Sequence, residues 1–342
     1  MRICIHGAGA IGGTMAARLA LAGRDVVAVA RGAHLEAMRA DGLLFRERPG
    51  AEPVRLRLRC AATAAEAGPF DLVVCAAKAH DLPAMAGDLA AALAPGGAVA
   101  FAVNGVPWWF LHGIGGPHDG RVVEAVDPGG ALARVLGARR AIGAVVHFLA
   151  VLEAPGLVAQ HGAGRLVLGE PDGTMSPRLA AAAAALDVPG WTLEATARIR
   201  DEVAAKFMGN ATSNPLCALL RVPIGRVFND PVLAAFGEGL MREARGVAEA
   251  HGLRVGQPVE ERLALYRDGP LAAFRTSTLL DVDRGRALEI DALLLAVAEL
   301  GRRAGVPTPS IDLAYAMLRA MAEGTGLYPG APSPAAAQAV AT

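Results

Sequence analysis

The stretch RICIHGAGAIGG, residues 2–13, decides how the chain begins to fold. Its first part, RICIH, is a short apolar run typical of a β-strand. GAGAIG follows with a G-x-G-x-x-G pattern, and an Ala-rich helical stretch then ends near Gly23. A second strand is predicted over DVVAVA, residues 25–30. In this strand–turn–helix–strand context the glycine pattern predicts a dinucleotide-binding turn, although the same pattern alone would be weak evidence.

Each glycine of the pattern has its own expected role. Gly7 permits the tight turn, Gly9 lets the backbone approach a pyrophosphate, and Gly12 allows the helix to pack closely on the strand. The N–H groups of Ala10 and Ile11 begin the helix, so they lack a partner within it and lie at its positive end. We therefore expect these five residues to bind the cofactor. The alternative is a glycine-rich turn that binds no ligand.

The residue after the second strand indicates which nicotinamide cofactor is used. NAD-binding proteins place Asp or Glu there to bind the ribose 2′-hydroxyl. This chain reads VAVARGAH, with Arg31 at that point and no acidic residue until Glu36. A guanidinium can bind a 2′-phosphate in a fork, whereas a carboxylate would repel it. The sequence thus favours NADPH, and the alternative for Arg31 is a solvated charge at a strand end.

Two later strands also end in polar residues. In the stretch DLVVCAAKAHDL, residues 71–82, an apolar strand is predicted that ends at Lys78. In AVAFAVNGV, residues 98–106, the predicted strand ends at Asn104. Continuous apolar runs are typical of parallel strands that are covered on both faces. Ligands bind such sheets at the carboxyl ends of the strands, so both side chains are expected to face the cofactor. Asn104 and the glycine after it are equally compatible with a simple turn.

Composition and charge exclude several classes of protein. The 342 residues are 53% hydrophobic and 19% charged, which indicates a globular chain long enough for two domains. Thirty-three basic residues balance thirty-three acidic ones, so nothing favours binding to nucleic acid or to an acidic membrane. No apolar run approaches the roughly 20 residues of a membrane span, and the N-terminus lacks a signal-peptide pattern. We expect a cytoplasmic protein, and the cysteine and histidine spacing predicts no metal site.

The predicted architecture has three parts. Residues 1–192 are expected to form an α/β domain with a Rossmann-type doubly wound sheet. Residues 193–328 are expected to form an all-α domain that carries the substrate and catalytic residues. The tail, residues 329–342, is rich in Ala and Pro and is predicted to be disordered.

The stretch EVAAKFMGNATSNPL, residues 202–216, raises the question of function. Lys206, Asn210 and Asn214 are spaced four apart, which places them in one row along a helix. Because Pro215 disfavours helix in the residue before it, a helix break is predicted there, and Asn214 could lie off the row. Taken singly, each residue has an ordinary explanation as a surface or turn residue. Together, behind a dinucleotide-binding fold, they favour an active site.

Two C-terminal motifs resemble those of the ketopantoate reductase (2-dehydropantoate 2-reductase) family. KFMGNATSNPLCALL resembles its K-x-x-x-N-x-x-x-N-P signature, and STLLDVDRGRALEID, residues 277–291, resembles its S-x-x-x-D…R-x-x-E-I-D signature. Residues 1–16, 71–82 and 101–106 are similar to the family's cofactor half, and the order of the motifs is the same. The resemblance implies a Rossmann-type domain followed by an all-α domain with a 6-phosphogluconate-dehydrogenase-like arrangement.

The resemblance also implies which residues act on the substrate. Lys206 matches the family's catalytic general acid, and Glu289 matches the acid that interacts with that lysine and with a substrate hydroxyl. Asn210 and Asn214 match residues that hold the hydroxyl and carbonyl end of the substrate, and Ser277 matches a contact to its carboxylate. A protonated lysine suits this role because hydride delivery to a ketone builds negative charge on its oxygen.

The remaining matches concern the cofactor. Asn104 matches an asparagine that orients the lysine and the nicotinamide region, while Arg31 and Lys78 match contacts to the 2′-phosphate and adenosine end of NADPH. The implied activity is the NADPH-dependent reduction of 2-dehydropantoate to pantoate, on the route to pantothenate and coenzyme A. Two alternatives stay open: a reductase or dehydrogenase of another 2-oxo or hydroxy acid, and a dinucleotide sensor without catalysis.

The chain departs from the family after Asn104. The family commonly continues N-G-x-G, whereas this chain has a longer, aromatic run, NGVPWWFLHGIGGPHDGRVVEAVDPGG. Two hypotheses follow for Trp108 and Trp109: an apolar lid over the active site, or a contact in a homodimer. A loop in this position could also change which 2-oxo acid is reduced.

Overall fold

The structure, a computed structural model, describes residues 1–329. Within it the chain forms two compact units that do not follow a single cut in the sequence. The N-terminal unit comprises residues 1–103, 107–122 and 127–199, and the C-terminal unit comprises residues 104–106, 123–126 and those from 200 onward. Asn104 therefore belongs to the C-terminal unit. The predicted tail, 329–342, lies outside the described residues except for Pro329.

The N-terminal unit holds the β-strands of the described chain. They are β1 Ile3–His6, β2 Val26–Val29, β3 Leu43–Arg46, β4 Val54–Leu56, β5 Arg59–Ala61, β6 Phe70–Cys75, β7 Leu93–Phe101, β8 Ala141–Val146, β9 Leu149–Ala154, β10 Leu157–His161, β11 Gly164–Gly169 and β12 Trp191–Ala195. Its helices are α1 Ala10–Leu21, α2 Gly32–Asp41, α3 Ala64–Ala67, α4 Leu82–Ala91, α5 Ala131–Val135 and α6 Pro177–Leu186.

The main sheet has eight strands in the order β12-β11-β8-β7-β6-β1-β2-β5. The run from β8 to β5 is parallel, and β11 is antiparallel to β8 and parallel to β12. From β1 the chain passes to β2, and it later returns to the other side of β1 with β6, so the strand order reverses between β1 and β6. This reversal is the mark of a doubly wound sheet. All residues of β1 and β2 are buried, as continuous apolar strands require. The predicted fold class is confirmed.

A second sheet, in the order β4-β3-β10-β9, was not predicted. Helix α1 packs on it closely, since a Cβ at Gly13 would lie 2.8 Å from Cγ1 of Val158. The buried Arg18 of α1 donates from Nε to Oε1 of Gln160 at 2.8 Å, and its guanidinium lies 5.0 Å from the centre of the Phe45 ring. Helix α1, which follows the glycine-rich turn, is therefore packed between the two sheets.

The C-terminal unit is built from helices. They are α7 Ile199–Leu220, α8 Ile224–Phe228, α9 Pro231–Ala250, α10 Val259–Arg267, α11 Ser277–Asp283, α12 Ala296–Ala304 and α13 Pro309–Gly324, with a π-helical turn at Asp291–Leu295 that runs into α12. Local signals explain several starts: Asp230 caps α9 through the N–H groups of Val232 and Leu233, and a proline is the first residue of that helix. Across residues 1–329, no helix combines the length and the apolar surface needed to cross a membrane.

The predicted break at Pro215 is wrong. Helix α7 continues through Pro215 to Leu220, although the proline cannot donate to the carbonyl of Ala211. Flanking hydroxyls form extra bonds along the same turns, from Thr212 to the carbonyl of Met208 at 2.8 Å and from Ser213 to that of Gly209 at 3.0 Å. Residues 211–218 are all buried, so tertiary packing outweighs the local preference for a break.

Candidate active site

The glycine-rich turn follows β1 at the point where the strand order reverses. It therefore lies beside the loop that follows β6, and a Cβ on Gly7 would stand only 2.8 Å from the backbone nitrogen of Ala77. Lys78 comes next in that loop, at the start of a short 3₁₀ turn, Ala79–Asp81. In doubly wound sheets this crevice at the carboxyl ends of the strands is where ligands bind.

The three glycines of the motif differ in how much space surrounds them. Gly7 has φ +88°, which favours glycine, and a Cβ on Gly12 would stand 2.3 Å from the carbonyl oxygen of Gly7. Gly9 is different, because outside residues 8–10 no described atom lies within 4 Å of the position its Cβ would take. Open space at the start of α1, next to the free N–H groups of its first turn, fits a bound pyrophosphate.

Arg31 lies at the carboxyl end of β2, as the N-cap of α2. Its guanidinium is exposed, and Nη2 forms an ion pair with Oδ2 of Asp81 at 2.9 Å. The sequence reasoning missed this partner, although Asp81 stands in the quoted run AKAHDL three residues after Lys78. The loops after β2 and β6 thus carry two cationic side chains, Arg31 and Lys78, and one carboxylate, Asp81.

In the C-terminal unit, Lys206, Asn210 and Asn214 all lie on α7. Since the helix is uninterrupted, the spacing of four places the three side chains in one row. Lys206 and Asn210 are partly buried, and Asn214 is 4% exposed. The structure therefore keeps the third residue in the row, where the predicted break would have displaced it.

Lys206 is the charged residue of the row, and its pKa is shifted. Burial lowers the pKa of this lysine to about 8, although the nearby carboxylate of Glu289 acts to raise the pKa. Glu289 itself is 9% exposed and comes from the segment before α12. A lysine with this pKa is largely protonated at pH 7 and can still release its proton, as a general acid must.

Asn214 carries a buried amide with unused hydrogen-bonding capacity. Within the described residues, its Nδ2 has no hydrogen-bond partner. Leaving such a donor unsatisfied costs about 1–3 kcal/mol, so buried donors of this kind are rare unless a ligand or water satisfies them. An oxygen of a bound substrate would supply the missing acceptor.

Asn104 is tied to the same unit through an irregular helical turn. The N–H of Val106 donates to the carbonyl of Ala292 at 2.9 Å, within the π-helical turn Asp291–Leu295. Gly105, with φ +85°, passes so close that a Cβ would lie 2.3 Å from the same carbonyl oxygen. Because Glu289 precedes this turn by two residues, the contact brings Asn104 and Glu289 into one local assembly.

Ser277 is more exposed than the other candidates of this unit. It is an exposed residue at the first position of α11, and the cap of that helix is its neighbour Thr276, whose side chain accepts from the N–H of Leu279 at 3.3 Å. The simple capping role that Ser277 could have had is therefore taken by Thr276. The serine hydroxyl does not cap the helix.

Asp291 is a further residue of this assembly that the sequence reasoning did not single out. Its carboxylate accepts from the hydroxyls of Tyr315, at 3.0 Å, and Tyr328, at 2.8 Å. These bonds anchor the start of the π-helical turn, which in turn positions Glu289. The signal was present in the quoted E-I-D motif, but the partner tyrosines lie 24 and 37 residues away.

Trp108 and Trp109 do not behave as either hypothesis expected. Their side chains are 4% and 2% exposed, so they are part of the N-terminal core. Trp108 packs edge-on against Phe101 with ring centres 5.6 Å apart, and the Trp109 ring fills the space beside Gly143, where a Cβ would stand 2.7 Å from the ring. Side chains already buried in this way have little surface left for a lid or a dimer contact.

Comparison with known proteins agrees with the geometry of both units. The family model described as ketopantoate reductase PanE/ApbA matches residues 3–173, and the model of its C-terminal domain matches residues 198–322. The 2-dehydropantoate 2-reductase of Mesorhizobium japonicum is 42% identical over 96% of this chain and 100% of its own length. The chain belongs to the ketopantoate reductase family. It is accordingly an oxidoreductase.

Solved structures of ketopantoate reductases share the whole fold. A proposed ketopantoate reductase from Ralstonia solanacearum has a TM-score of 0.89 and 41% identity, covering 96% of this chain and 99% of that one. The 2-dehydropantoate 2-reductase of Geobacter metallireducens has a TM-score of 0.80 and 27% identity, covering 94% and 100%. D-mandelate dehydrogenase, solved with NADH and anilino(oxo)acetate, has the same fold at a TM-score of 0.80 and 21% identity, covering 96% and 100%.

Proposed function

We propose that this ketopantoate reductase uses NADPH to reduce 2-dehydropantoate to pantoate, with Lys206 as the general acid. The reaction would supply pantoate for pantothenate and coenzyme A synthesis. When bound, the reduced nicotinamide supplies the hydride. The protein supplies the binding, the orientation of the ketone and the proton.

Lys206 is the observation that carries the proposal. Burial lowers the pKa of Lys206 and the charge of Glu289 raises it, with a result of about 8. An amine with this pKa is charged at pH 7, and it holds its proton weakly enough to transfer it. The ammonium would stabilise the negative charge that develops on the ketone oxygen and then donate the proton that makes it a hydroxyl. Glu289 would keep the lysine protonated and accept a hydrogen bond from a substrate hydroxyl.

The amino-acid usage of the chain supports this choice. Lys78 and Lys206 are the only lysines among the 33 basic residues. An arginine keeps its proton at all physiological pH values and cannot serve as a proton donor. In a chain that uses arginine almost everywhere else, a lysine in a partly buried position beside a carboxylate indicates a group that must titrate.

The neutral polar groups around Lys206 suit the substrate. Asn210 and the buried amide of Asn214 would bind oxygens of the ketone and hydroxyl end, and Asn104 would orient the lysine. Ser277 would bind the substrate carboxylate from the N-terminal end of α11, where helical N–H groups favour an anion. Amides orient a polar substrate without adding charge that would compete with the ammonium.

The cofactor preference is supported by the loops after β2 and β6. Gly7, Gly9 and Gly12 with the first turn of α1 fit the pyrophosphate, and Arg31 with Lys78 would bind the 2′-phosphate. Arg31 is exposed and paired only with Asp81 among the ion pairs of the described chain, so its fork can turn to a phosphate.

The test is a steady-state comparison of substrates and cofactors. We expect kcat/KM for 2-dehydropantoate with NADPH to exceed that for other 2-oxo acids, including phenylglyoxylate, and to exceed that with NADH. The aromatic oxo acid is included because a D-mandelate dehydrogenase shares the fold. A large preference for another acid would overturn the substrate, and a preference for NADH would overturn the cofactor, each independently of the other.

A further inference from the structure

We propose that His34 is a positioning residue for the phosphate-binding turn: its imidazole holds the carbonyl of Ala8 away from the cofactor phosphates. The inference rests on the proposed binding of a nicotinamide dinucleotide at this turn. It assigns a role to a residue outside the G-x-G-x-x-G motif, on the next helix along the chain.

The imidazole of His34 lies between two backbone groups. Its Nε2 is 2.7 Å from the carbonyl oxygen of Ala8, in the glycine-rich turn, and its Nδ1 is 2.8 Å from the backbone nitrogen of Gly156. Gly156, with φ +77°, belongs to the tight turn between β9 and β10 of the second sheet. One partly buried side chain thus joins the phosphate-binding turn to a hairpin 122 residues away.

These two partners determine the state of the ring. A carbonyl oxygen can only accept, so Nε2 must carry a hydrogen and donate it to Ala8. A backbone N–H can only donate, so Nδ1 must be unprotonated and accept from Gly156. His34 is therefore held as the neutral tautomer with hydrogen on Nε2. Burial lowers the pKa of His34, which favours the same neutral state.

The bond to Ala8 matters because of how the rest of the turn is satisfied. The N–H groups of Gly7 and Ala8 both donate to the carbonyl of Val29, at 3.1 and 2.9 Å, and the N–H of Gly9 donates to the carbonyl of Gly7 at 2.8 Å. The peptide between Ala8 and Gly9 is thus held at both ends, its N–H by Gly7 and its carbonyl by His34.

Without the imidazole, that carbonyl would have lost its partner and the peptide could rotate. Glycine at position 9 makes such a rotation easy, since it has few steric limits and its surroundings are open. A carbonyl oxygen turned toward the crevice would present a negative dipole to the pyrophosphate, next to the N–H groups that attract it. His34 would prevent this and keep the turn ready for the cofactor before it binds.

Three substitutions separate this role from a merely structural one. His34→Ala removes both bonds. His34→Asn retains an oxygen close to the Nδ1 position, which can still accept from Gly156, but it cannot reach Ala8. His34→Gln places an amide N–H close to the Nε2 position, where it can donate to Ala8. His161→Ala is the matched control, because His161 is a partly buried histidine on β10 of the same second sheet.

The Kd of NADPH would be measured by fluorescence titration, together with KM, kcat and Tm. We expect His34→Ala and His34→Asn to raise the Kd and KM for NADPH about tenfold, the scale of one lost hydrogen bond in a site. Their kcat at saturating NADPH should stay within about twofold of the wild type, since no group that contacts the ketone has changed. His34→Gln and His161→Ala should bind NADPH about as tightly as the wild type.

The proposal is overturned if His34→Gln binds as weakly as His34→Ala, or if His34→Asn binds normally, because the bond to Ala8 would then be irrelevant. It is also overturned if His34→Ala leaves the Kd unchanged. A wild-type protein that binds NADH and not NADPH would contradict the proposed cofactor alone, and the same series measured with NADH would still decide the role of His34.

Discussion

The two candidate sites of this protein are built in opposite ways. The phosphate-binding turn in the N-terminal unit is almost contiguous, with its five candidate residues between Gly7 and Gly12. The candidate proton-transfer site in the C-terminal unit consists of Asn104, Lys206 and Glu289, which lie about a hundred residues apart in the sequence. The turn depends on backbone conformation, whereas the catalytic site depends on the burial and pairing of side chains.

This difference predicts which substitutions should impair each site. A turn that works through backbone N–H groups should be sensitive to added side-chain volume and tolerant of changes in charge elsewhere. A site that works through a titrating amine should be sensitive to the pKa of that amine and to its neighbours. Substitutions in each unit can therefore break one function and leave the other intact.

The largest expected effect is on proton transfer. Lys206→Ala should lower kcat at least about a hundredfold, the usual scale for loss of a general acid, with the Kd of NADPH little changed. Lys206→Arg sharpens the test, because arginine retains the charge but does not release its proton, so kcat should remain low. Lys78→Ala, at the other lysine, serves as the comparison and should affect mainly cofactor binding. Full-rate reduction by Lys206→Ala would remove the assignment and would favour a sensor.

The glycine turn offers a paired test of steric and ligand effects. Gly12→Ala should destabilise the protein by about 1–3 kcal/mol or more, since its Cβ would stand 2.3 Å from a backbone oxygen. Gly9→Ala should leave Tm unchanged, because outside residues 8–10 no described atom lies within 4 Å of the new Cβ, yet it should weaken NADPH binding about tenfold. Thermal unfolding and cofactor titration of both variants measure this. Normal NADPH binding by Gly9→Ala would show that no ligand approaches this part of the turn.

The next prediction concerns the preference for NADPH over NADH, which is assigned to one charged residue of the N-terminal unit, Arg31. Arg31→Ala should raise the Kd of NADPH about tenfold, at the low end for charge-assisted hydrogen bonds because the side chain is exposed, and it should leave the Kd of NADH nearly unchanged. Arg39→Ala is a suitable control, since Arg39 is another exposed arginine of α2 with an acidic partner, Glu66. Equal effects of Arg31→Ala on both cofactors would count against a contact to the 2′-phosphate.

The smallest expected effect concerns the pH dependence of the C-terminal site. Lys206 must be protonated to act as an acid, so kcat of the wild type should fall as pH rises through about 8. Glu289 acts to raise the pKa of Lys206, so Glu289→Gln should shift that fall to lower pH and reduce kcat several-fold at pH 8. Rate profiles between pH 6 and 10 measure the shift. A profile that moved to higher pH would contradict the influence assigned to Glu289.

Several structural features escaped the sequence because their causes are not local. The proline after Asn214 favours a break in any isolated peptide, yet burial on both sides of Pro215 keeps α7 continuous. The second sheet was missed because β3 and β4 are short and because β3 pairs on its other side with β10, a strand more than a hundred residues later in the chain. The aromatic pair after Asn104 suggested a lid, but nothing in the sequence reveals that the core has space for both rings.

The sequence by itself determined the doubly wound sheet, the glycine-rich turn after β1 and the helical spacing of Lys206 and Asn210, because each depends on spacing within one short segment and on the 3.6-residue period of a helix. The continuation of α7 through Pro215, which keeps Asn214 in the same row, came from tertiary packing. Only the tertiary structure decided the pKa of Lys206, the partner of Arg31, the membership of Asn104 in the C-terminal unit and the contact of His34 with Ala8. Those properties depend on which distant groups are brought together and on how much water is excluded, and neither quantity can be read from the order of residues.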